Sequence, residues 1–539
     1  MTRLSLVSGL VGLLAFGCAT DGSESATARQ MAAGNGQRTD TATPEDEIVP
    51  DSGYAGSPGD LNSDQEPASA TAGAYLLTVL PTEYGSISLE PAGGSYAPGT
   101  EVTVTAVPEA GYILSSWSGD VEGRSPTQTV VVTCDMEIGG LFEPGVTIEL
   151  AEATHGSYTV SPPIAAGEGV PFGTELTIEA TPDPGYVLDS TFKMTWIIEP
   201  FWGYYLDESF TSPHTVTADP SDGRFLIYGG SLSKYVLGAY FVPDDRWGAL
   251  EETLNVVYAQ PGNKPLQYDV YSPDGAEGLP IVVIIHGGGW SLNNEDIMRG
   301  QARYLASSGR YVVASIDYRL LSDPDDPAPQ LPQLIEDVFG AVAHIQEHAA
   351  EYGGDPQQLA ITGDSAGGHL AASVTILSDF IGAGAYDGQL GSQFLPTYIP
   401  ADKSVAAVRT EIMGSVLASA PSYGAFDNAA WDPAISPLRN IPLASDRVLP
   451  PQHLQVGSED ATIPPSHVQA YADALEAAGQ EAEFLVIEGA SHAYFDWKPE
   501  AGVQETFAAI GEPALDLMLE FFDKVFYPQT TGTDAVGCP

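Results

Sequence analysis

The string Gly363-Asp364-Ser365-Ala366-Gly367-Gly368 carries the strongest chemical signal in this chain. It follows Leu359-Ala360-Ile361-Thr362, which reads as a strand, and precedes a helical run that begins at His369. A serine on such a sharp strand-to-helix turn is held in a strained conformation, with its hydroxyl projected over the sheet edge. Gly363 and Gly367 are needed there because side chains would collide with neighbouring backbone. The first-turn N–H groups of the helix face any anion that develops beside the serine.

A serine hydroxyl is a weak nucleophile and needs a base held by an orienting carboxylate. Asp460 lies in Gly457-Ser458-Glu459-Asp460, a loop after a strand at 452–456, and is the candidate carboxylate. Glu459 is its nearest rival. His492 lies in Gly489-Ala490-Ser491-His492, after the last strand at 484–488, and is the candidate base. The chain order Ser365, Asp460, His492 is the one associated with a nucleophile on such a strand–turn–helix elbow.

A second string, His286-Gly287-Gly288-Gly289-Trp290, directly follows a strand at 281–285. Consecutive glycines let backbone amides converge on one point, as the oxyanion of acyl transfer requires. Gly287 and Gly288 are expected to supply two donors and Ala366 a third. His286 is read as organising this loop. A phosphate-binding loop is the other reading, but no Gly-Lys-Ser/Thr follows. Among the remaining histidines, His369 is expected to be packed or hydrogen-bonded, and His453 and His467 precede the final strand. His344 and His348 are four apart on a helix and could bind metal, but no third ligand is near in sequence, so a solvated helix face is expected. Asp337 is expected to brace Arg319 of Asp317-Tyr318-Arg319.

These residues need a frame. Between 251 and 528, strand-like and helical runs alternate, the pattern of a sheet covered by helices. Antiparallel strands at 254–258 and 266–271 open it. Strands at 281–285, 311–316, 359–362, 415–420, 452–456 and 484–488 follow, with helices at 295–308, 332–351, 366–379, 466–478 and 512–526. Val282-Val283-Ile284-Ile285 suits a central strand covered on both faces.

Residues 251–528 resemble α/β-hydrolases of the carboxylesterase/lipase class, especially the hormone-sensitive-lipase-like and the feruloyl- or acetyl-xylan-esterase-like branches. The matching strings are His286 to Trp290, Asp317-Tyr318-Arg319 and Gly363 to Gly368. The resemblance implies an α/β-hydrolase fold of about eight mostly parallel strands. It implies a triad of Ser365, Asp460 and His492, and an oxyanion hole from Gly287, Gly288 and Ala366. It implies a carboxylic-ester hydrolase acting through an acyl-enzyme on short-chain or carbohydrate-linked esters, with no organic cofactor and no metal. An amidase or peptidase on the same fold, and a non-catalytic surface protein that binds polysaccharide, are the alternatives. Segment 380–411 is expected to form a rim or partial lid.

The chain has 539 residues, too many for one core to organise, so several domains are expected. Its formal charge of −53 excludes nucleic acid as a general partner, since no basic stripe can be assembled for phosphates. Residues 1–18 read as a signal peptide: Met1-Thr2-Arg3, a short apolar run, then Leu14-Ala15-Phe16-Gly17-Cys18. The last part resembles a bacterial lipobox with Leu14 one position early, so Cys18 is the expected lipidation site and membrane attachment is through lipid. An exported lipoprotein of the outer membrane or cell surface is implied, with a periplasmic or secreted protein as the alternative. Residues 19–73 are poor in branched apolar and aromatic groups and read as a flexible tether. Cys134 and Cys538 are the other cysteines, and export would permit them to pair.

Between the tether and residue 250 the texture is β, and it repeats. Gly85-Ser86-Ile87-Ser88 matches Gly156-Ser157-Tyr158-Thr159, and the run from Pro98 to Ala106 matches that from Phe172 to Ala180. The first copy, 74–144, resembles the divergent bacterial repeat of cell-surface proteins, with Trp117-Ser118-Gly119-Asp120 after its core. The second, 145–250, lacks that tryptophan and carries an aromatic group: Trp196, Phe201, Trp202, Tyr204, Tyr205 and Phe210. These rings are expected to form core or a seam against the next domain; the alternative is a carbohydrate platform. Residues 529–539 read as a tail.

Overall fold

The computed structural model describes residues 73–528, apart from 110, 166, 199–202, 220–230, 383, 385, 390 and 500. The leader with Cys18, residues 19–72 of the tether, Phe201, Trp202, Cys538 and the C-terminal tail lie outside the described residues. No described helix is long and apolar enough to cross a membrane.

The C-terminal domain is built on eight strands. These are β1 (Leu250–Ala259), β2 (Leu266–Pro273), β3 (Leu279–Ile285), β4 (Val312–Ile316), β5 (Gly354–Asp364), β6 (Val416–Ser422), β7 (Gln452–Gly457) and β8 (Ala482–Ile487). Their order across the sheet is β1-β2-β4-β3-β5-β6-β7-β8. The pairs β1/β2 and β2/β4 are antiparallel, and every later neighbour is parallel. Seven α-helices complete the domain: α1 (Arg299–Ser307), α2 (Leu331–His348), α3 (Ala366–Leu377), α4 (Val405–Ser415), α5 (Pro465–Ala477), α6 (Ala501–Thr506) and α7 (Glu512–Phe526). This is an α/β-hydrolase fold, as the resemblance implied; the alternation of runs had indicated a sheet covered by helices.

Helices cover both faces of a parallel sheet, so its central strands lose polar alternation. Residues Ile281–Ile285 of β3 are at most 1% exposed. Helix α3 is buried at every position, which its sequence permits because it carries no acidic or basic group other than His369. The strand order brings the C-terminal ends of β3, β5, β7 and β8 to one edge of the sheet, and the loops after them carry the candidate chemistry. Segment 380–411 does not stand alone as a flap. Phe394 is buried against Phe339 of α2, Leu395 N–H donates to Glu336, and the Thr397 hydroxyl donates to Asp337. Its last residues already belong to α4.

The two N-terminal copies share one architecture. Strands Gly85–Glu90, Thr100–Pro108 and Thr127–Val132 form one antiparallel sheet, and Gly156–Ser161, Glu175–Pro182 and His214–Thr217 form its counterpart. The register Gly85↔Pro108 recurs as Gly156↔Pro182. Each opening glycine receives an aromatic ring. A Cβ on Gly85 would stand 2.6 Å from Phe142, and one on Gly156 would stand 2.6 Å from Phe241. The hairpin register Tyr112↔Pro144 likewise recurs as Tyr186↔Pro243. The second copy therefore closes only at strand Ser231–Pro243, beyond its aromatic insertion. Trp117 fills the first core, with its Nε1–H donating to the Ser125 carbonyl at 2.7 Å. The equivalent place in the second copy is the buried Thr191.

Two joins tie the copies to each other and to the C-terminal domain. Strand Met136–Leu150 runs unbroken through 144/145, pairing with Tyr112–Gly119 of the first copy and Ser231–Pro243 of the second. The second copy also packs on the C-terminal domain: Val242 belongs to that domain's hydrophobic core, and Tyr240 and Trp247 lie against it. Of the six aromatic residues in the insertion, Phe210 has a described side chain, and it lies at this seam with the Arg299 guanidinium 5.2 Å from its ring centre. Cys134 is exposed.

Candidate active site

The turn between β5 and α3 places Ser365 at φ 51°, ψ −115°, a conformation that costs an L-residue roughly 1–3 kcal/mol unless its surroundings enforce it. The surroundings do so through close backbone approach. A Cβ on Gly367 would stand 2.0 Å from the Ile285 carbonyl oxygen, and one on Gly363 would stand 2.5 Å from that of Gly367. Only glycine fits at either place. The Ser365 amide donates to Ser422 O at 3.1 Å, and His369 N–H donates to Ser365 O at 3.2 Å, so the turn is tied at both ends.

Ser365, His492 and Asp460 come together in one hydrogen-bonded row. The Ser365 hydroxyl lies 2.9 Å from His492 Nε2, and His492 Nδ1 lies 2.7 Å from Asp460 Oδ2. The other oxygen, Oδ1, accepts the amides of Thr462 at 2.9 Å and Ile463 at 2.8 Å. Both oxygens are thus committed, and the second faces the imidazole. Its contacts assign the tautomer: Nδ1–H donates to the carboxylate and Nε2 accepts from the serine. Glu459 is exposed, while Asp460 is buried. Tyr423, buried and at φ 33°, sets its ring edge-on to His492 at 5.1 Å between centres.

The glycine loop follows a different plan in one detail. Gly287 packs against Asp364: a Cβ there would stand 2.7 Å from Oδ2, and the Gly287 amide is turned toward this carboxylate. Gly287, expected to serve an oxyanion, thus has its amide on the side of this carboxylate. Gly288 and Gly289 follow at φ 113° and 60°, and among the described residues their amides donate to no backbone carbonyl. His286 organises the loop: its Nδ1–H donates to Gly287 O at 2.7 Å, its ring stacks on Tyr318 at 4.3 Å, and the Tyr318 hydroxyl donates to His286 O at 2.8 Å. Arg319 and Asp337 form the expected ion pair, with Nε and Nη2 each 2.8 Å from one carboxylate oxygen.

The other histidines have structural partners. His369 Nε2–H donates to Ile435 O at 3.0 Å, and its Nδ1 accepts from Trp290 Nε1 at 3.3 Å. Burial lowers it to about 4, so it stays neutral. His344 Nδ1 meets the Tyr268 hydroxyl at 3.0 Å, and His348 Nδ1 meets Glu351 at 2.8 Å. Among the described residues no group of three or more His, Cys, Asp or Glu could hold a metal ion. His453 pairs with Glu483 at 2.6 Å, and His467 accepts the Phe426 amide at 3.0 Å.

Two features of the site were not foreseen. Trp431 meets Trp290 edge-to-face at 5.4 Å and so adds a second indole beside the glycine loop. Asp364, one residue before the serine, is fully enclosed, and its Oδ1 has no hydrogen-bond partner. Burial, and next the charge of Asp496, push its carboxyl up to about 7, against the opposing pull of His492. A carboxyl with a raised native pKa keeps a proton that the unfolded chain releases. Its stabilisation is complete below about 3.8 and is lost as pH rises to about 7. Asp364→Asn is therefore expected to melt several degrees above wild type at pH 8 and close to it at pH 4, in thermal melts followed by circular dichroism.

Residues 282–496 match the family model described as alpha/beta hydrolase fold, and residues 75–144 and 146–192 match that of the divergent InlB B-repeat domain. The C-terminal part of this chain is thus similar to α/β-hydrolases of the carboxylesterase class. It is 41% identical over 112 residues to carboxylesterase NlhH of Mycobacterium tuberculosis, covering 21% of this chain and 34% of that protein. It is 31% identical over 256 residues to the Oryza sativa protein named "Probable isoprenylcysteine alpha-carbonyl methylesterase ICMEL1", covering 44% and 56%. The native esterase 2 structure of Thermogutta terrifontis is 23% identical, with a TM-score of 0.39, covering 54% of this chain and 96% of that one. The chain thus spans about a third to a half of the length of these curated relatives.

Proposed function

We propose that this protein is a serine carboxylic-ester hydrolase that works through an acyl-enzyme. The observation that carries the reading is the row Ser365–His492–Asp460, joined at 2.9 and 2.7 Å on a strained strand-to-helix turn. Ser365 Oγ attacks the ester carbonyl carbon as its proton passes to His492 Nε2. The carbonyl oxygen becomes an oxyanion within reach of the amides of Gly288, Gly289 and Ala366. Nε2–H then gives its proton to the leaving alkoxide, the C–O bond breaks, and the acyl group remains on Oγ. Water enters, gives a proton to Nε2 and attacks the acyl carbon. Oγ leaves with that proton, and the carboxylic acid is released. Asp460 stays ionised throughout and holds the imidazolium.

Trp290, next after the glycine loop, packs edge-on against Trp431 at 5.4 Å, and two bulky indoles beside that loop support a preference for compact acyl groups over long chains. Short-chain esters, including those carried on sugars, are the proposed substrates. The test is turnover of matched p-nitrophenyl acetate, butyrate and palmitate, an acetylated xylo-oligosaccharide, and the anilide of the best acyl group. Short esters are expected to exceed palmitate and the anilide by at least about 100-fold in kcat/KM, a difference of roughly 2.7 kcal/mol in transition-state binding. Preferential turnover of the anilide would turn the assignment to an amidase. No turnover, with tight polysaccharide binding, would turn it to a binding protein.

A further inference from the structure

The loop between β8 and α6 carries His492, yet no helix or strand stiffens it. Five residues past the histidine it reaches Trp497, which is 1% exposed. The Trp497 amide donates to Ile297 O at 2.9 Å, and its indole packs against Gly300 of α1, where a Cβ would come within 2.5 Å of the ring. Trp247, Tyr240 and Phe507 surround it edge-on at 5.3, 6.4 and 5.1 Å. The Trp497 Nε1–H donates across the seam, at 3.1 Å, to Asp189 Oδ2 of strand Tyr186–Ile198 in the second β module.

Asp189 is the centre of a buried charge network. Arg299 Nη2 donates to its Oδ2 at 2.9 Å and Arg303 Nη1 to its Oδ1 at 2.6 Å, both from α1. Arg299 also holds Glu208 of strand Gly203–Ser209 through two bonds, at 2.7 and 2.8 Å. Arg303 holds Glu252 of β1 at 2.8 and 3.2 Å. Arg299 and Asp189 are essentially without solvent exposure. Charges enclosed in this way are tolerated only with their partners in place, so the network sets one relative position of module, α1 and loop. A connection made only for attachment needs no buried carboxylate bonded to the loop of the catalytic base.

We propose that the second β module is a working part of the active site, in which Asp189 is a positioning residue that holds the His492 loop through Trp497. The inference rests on the serine-hydrolase reading above for its effect on rate, and on the seam alone for its effect on the loop. Loss of about 1 Å in placement of a catalytic group can cost on the order of 100-fold in rate.

The test uses the full chain carrying Asp189→Ala or Trp497→Phe, the second of which keeps a ring but removes the indole donor. Both are expected to lower kcat for a short ester about 10- to 100-fold while KM moves less than about 3-fold, since the acyl and alcohol contacts lie elsewhere. Hydrogen–deuterium exchange at residues 489–497 is expected to quicken, with exchange in β3 and β5 unchanged. Unchanged loop exchange in both folded variants overturns the inference, whatever the activity. So does a kcat within about 2-fold of wild type. Wild-type protein without ester turnover, but with a loop loosened by Asp189→Ala, overturns the hydrolase reading and leaves the positioning role standing. Should either variant fail to fold, Asp189→Leu with Arg299→Met replaces the central charges by apolar groups, and the same two readouts apply to it.

Discussion

Replacing Ser365 with alanine is expected to lower kcat on a short-chain ester by about 10⁵- to 10⁶-fold, to the level that the oxyanion donors and substrate binding support alone. The reason is the loss of the Oγ that lies 2.9 Å from His492 Nε2, the atom proposed to carry the acyl group. Alanine keeps the Cβ, so the strain at φ 51° is the same in both proteins and the melting temperature should not move. A fluorophosphonate probe should label wild type once per chain, on Ser365, and leave Ser365→Ala unlabelled in intact-mass spectra. A natively melting variant that kept turnover within about 10-fold of wild type would remove Ser365 from the mechanism.

Asp460→Asn is expected to cost about 10⁴-fold in kcat with a much smaller change in KM. The two amides of Thr462 and Ile463 donate to Oδ1 at 2.9 and 2.8 Å, and this decides how an asparagine must sit. Its carbonyl oxygen has to take the Oδ1 place, because an NH₂ group cannot accept those amides. The NH₂ then points at His492 Nδ1, whose N–H now donates a hydrogen bond to the carboxylate at 2.7 Å. Two donors cannot face each other, so the imidazole moves its proton to Nε2 and can no longer accept from Ser365. The neighbouring Glu459→Gln serves as the control, and kcat should stay within about 2-fold of wild type because that side chain is exposed. A larger loss in Glu459→Gln than in Asp460→Asn would transfer the acid role to Glu459.

The seam alters what the N-terminal modules mean. Small β repeats joined to an enzyme suggest beads on a string, with the catalytic unit indifferent to its neighbours. Here Val242 enters the hydrophobic core of the C-terminal domain, and Asp189 accepts hydrogen bonds from two arginines and a tryptophan of that domain. Interfaces between domains of one chain are commonly polar and mobile. This one encloses its charges, which is the arrangement expected where one fixed geometry is required.

What was readable in advance is local. The strands of the C-terminal domain, its helices other than α4 and α6, the Ser365 turn and the loops of Asp460 and His492 follow from short-range rules. Apolar periodicity records which faces are covered, and glycine marks the places where backbone meets backbone, as at Gly363 and Gly367. The repeat was readable for the same reason: the register Gly85↔Pro108 and its copy Gly156↔Pro182 rest on similar strings. Three matters belonged to the tertiary structure. Which glycine amide faces the reaction centre depends on backbone dihedrals, and Gly287 turned toward Asp364. The fate of a carboxylate depends on its enclosure, which raised Asp364 to about 7 and held Asp189 at about 2 between two guanidinium groups despite burial. The partnership of Asp189, Arg299 and Trp497 joins three distant stretches of chain. No periodicity encodes such a pairing, because a charge selects its partner by distance and exclusion of water, and both exist only once the chain has folded.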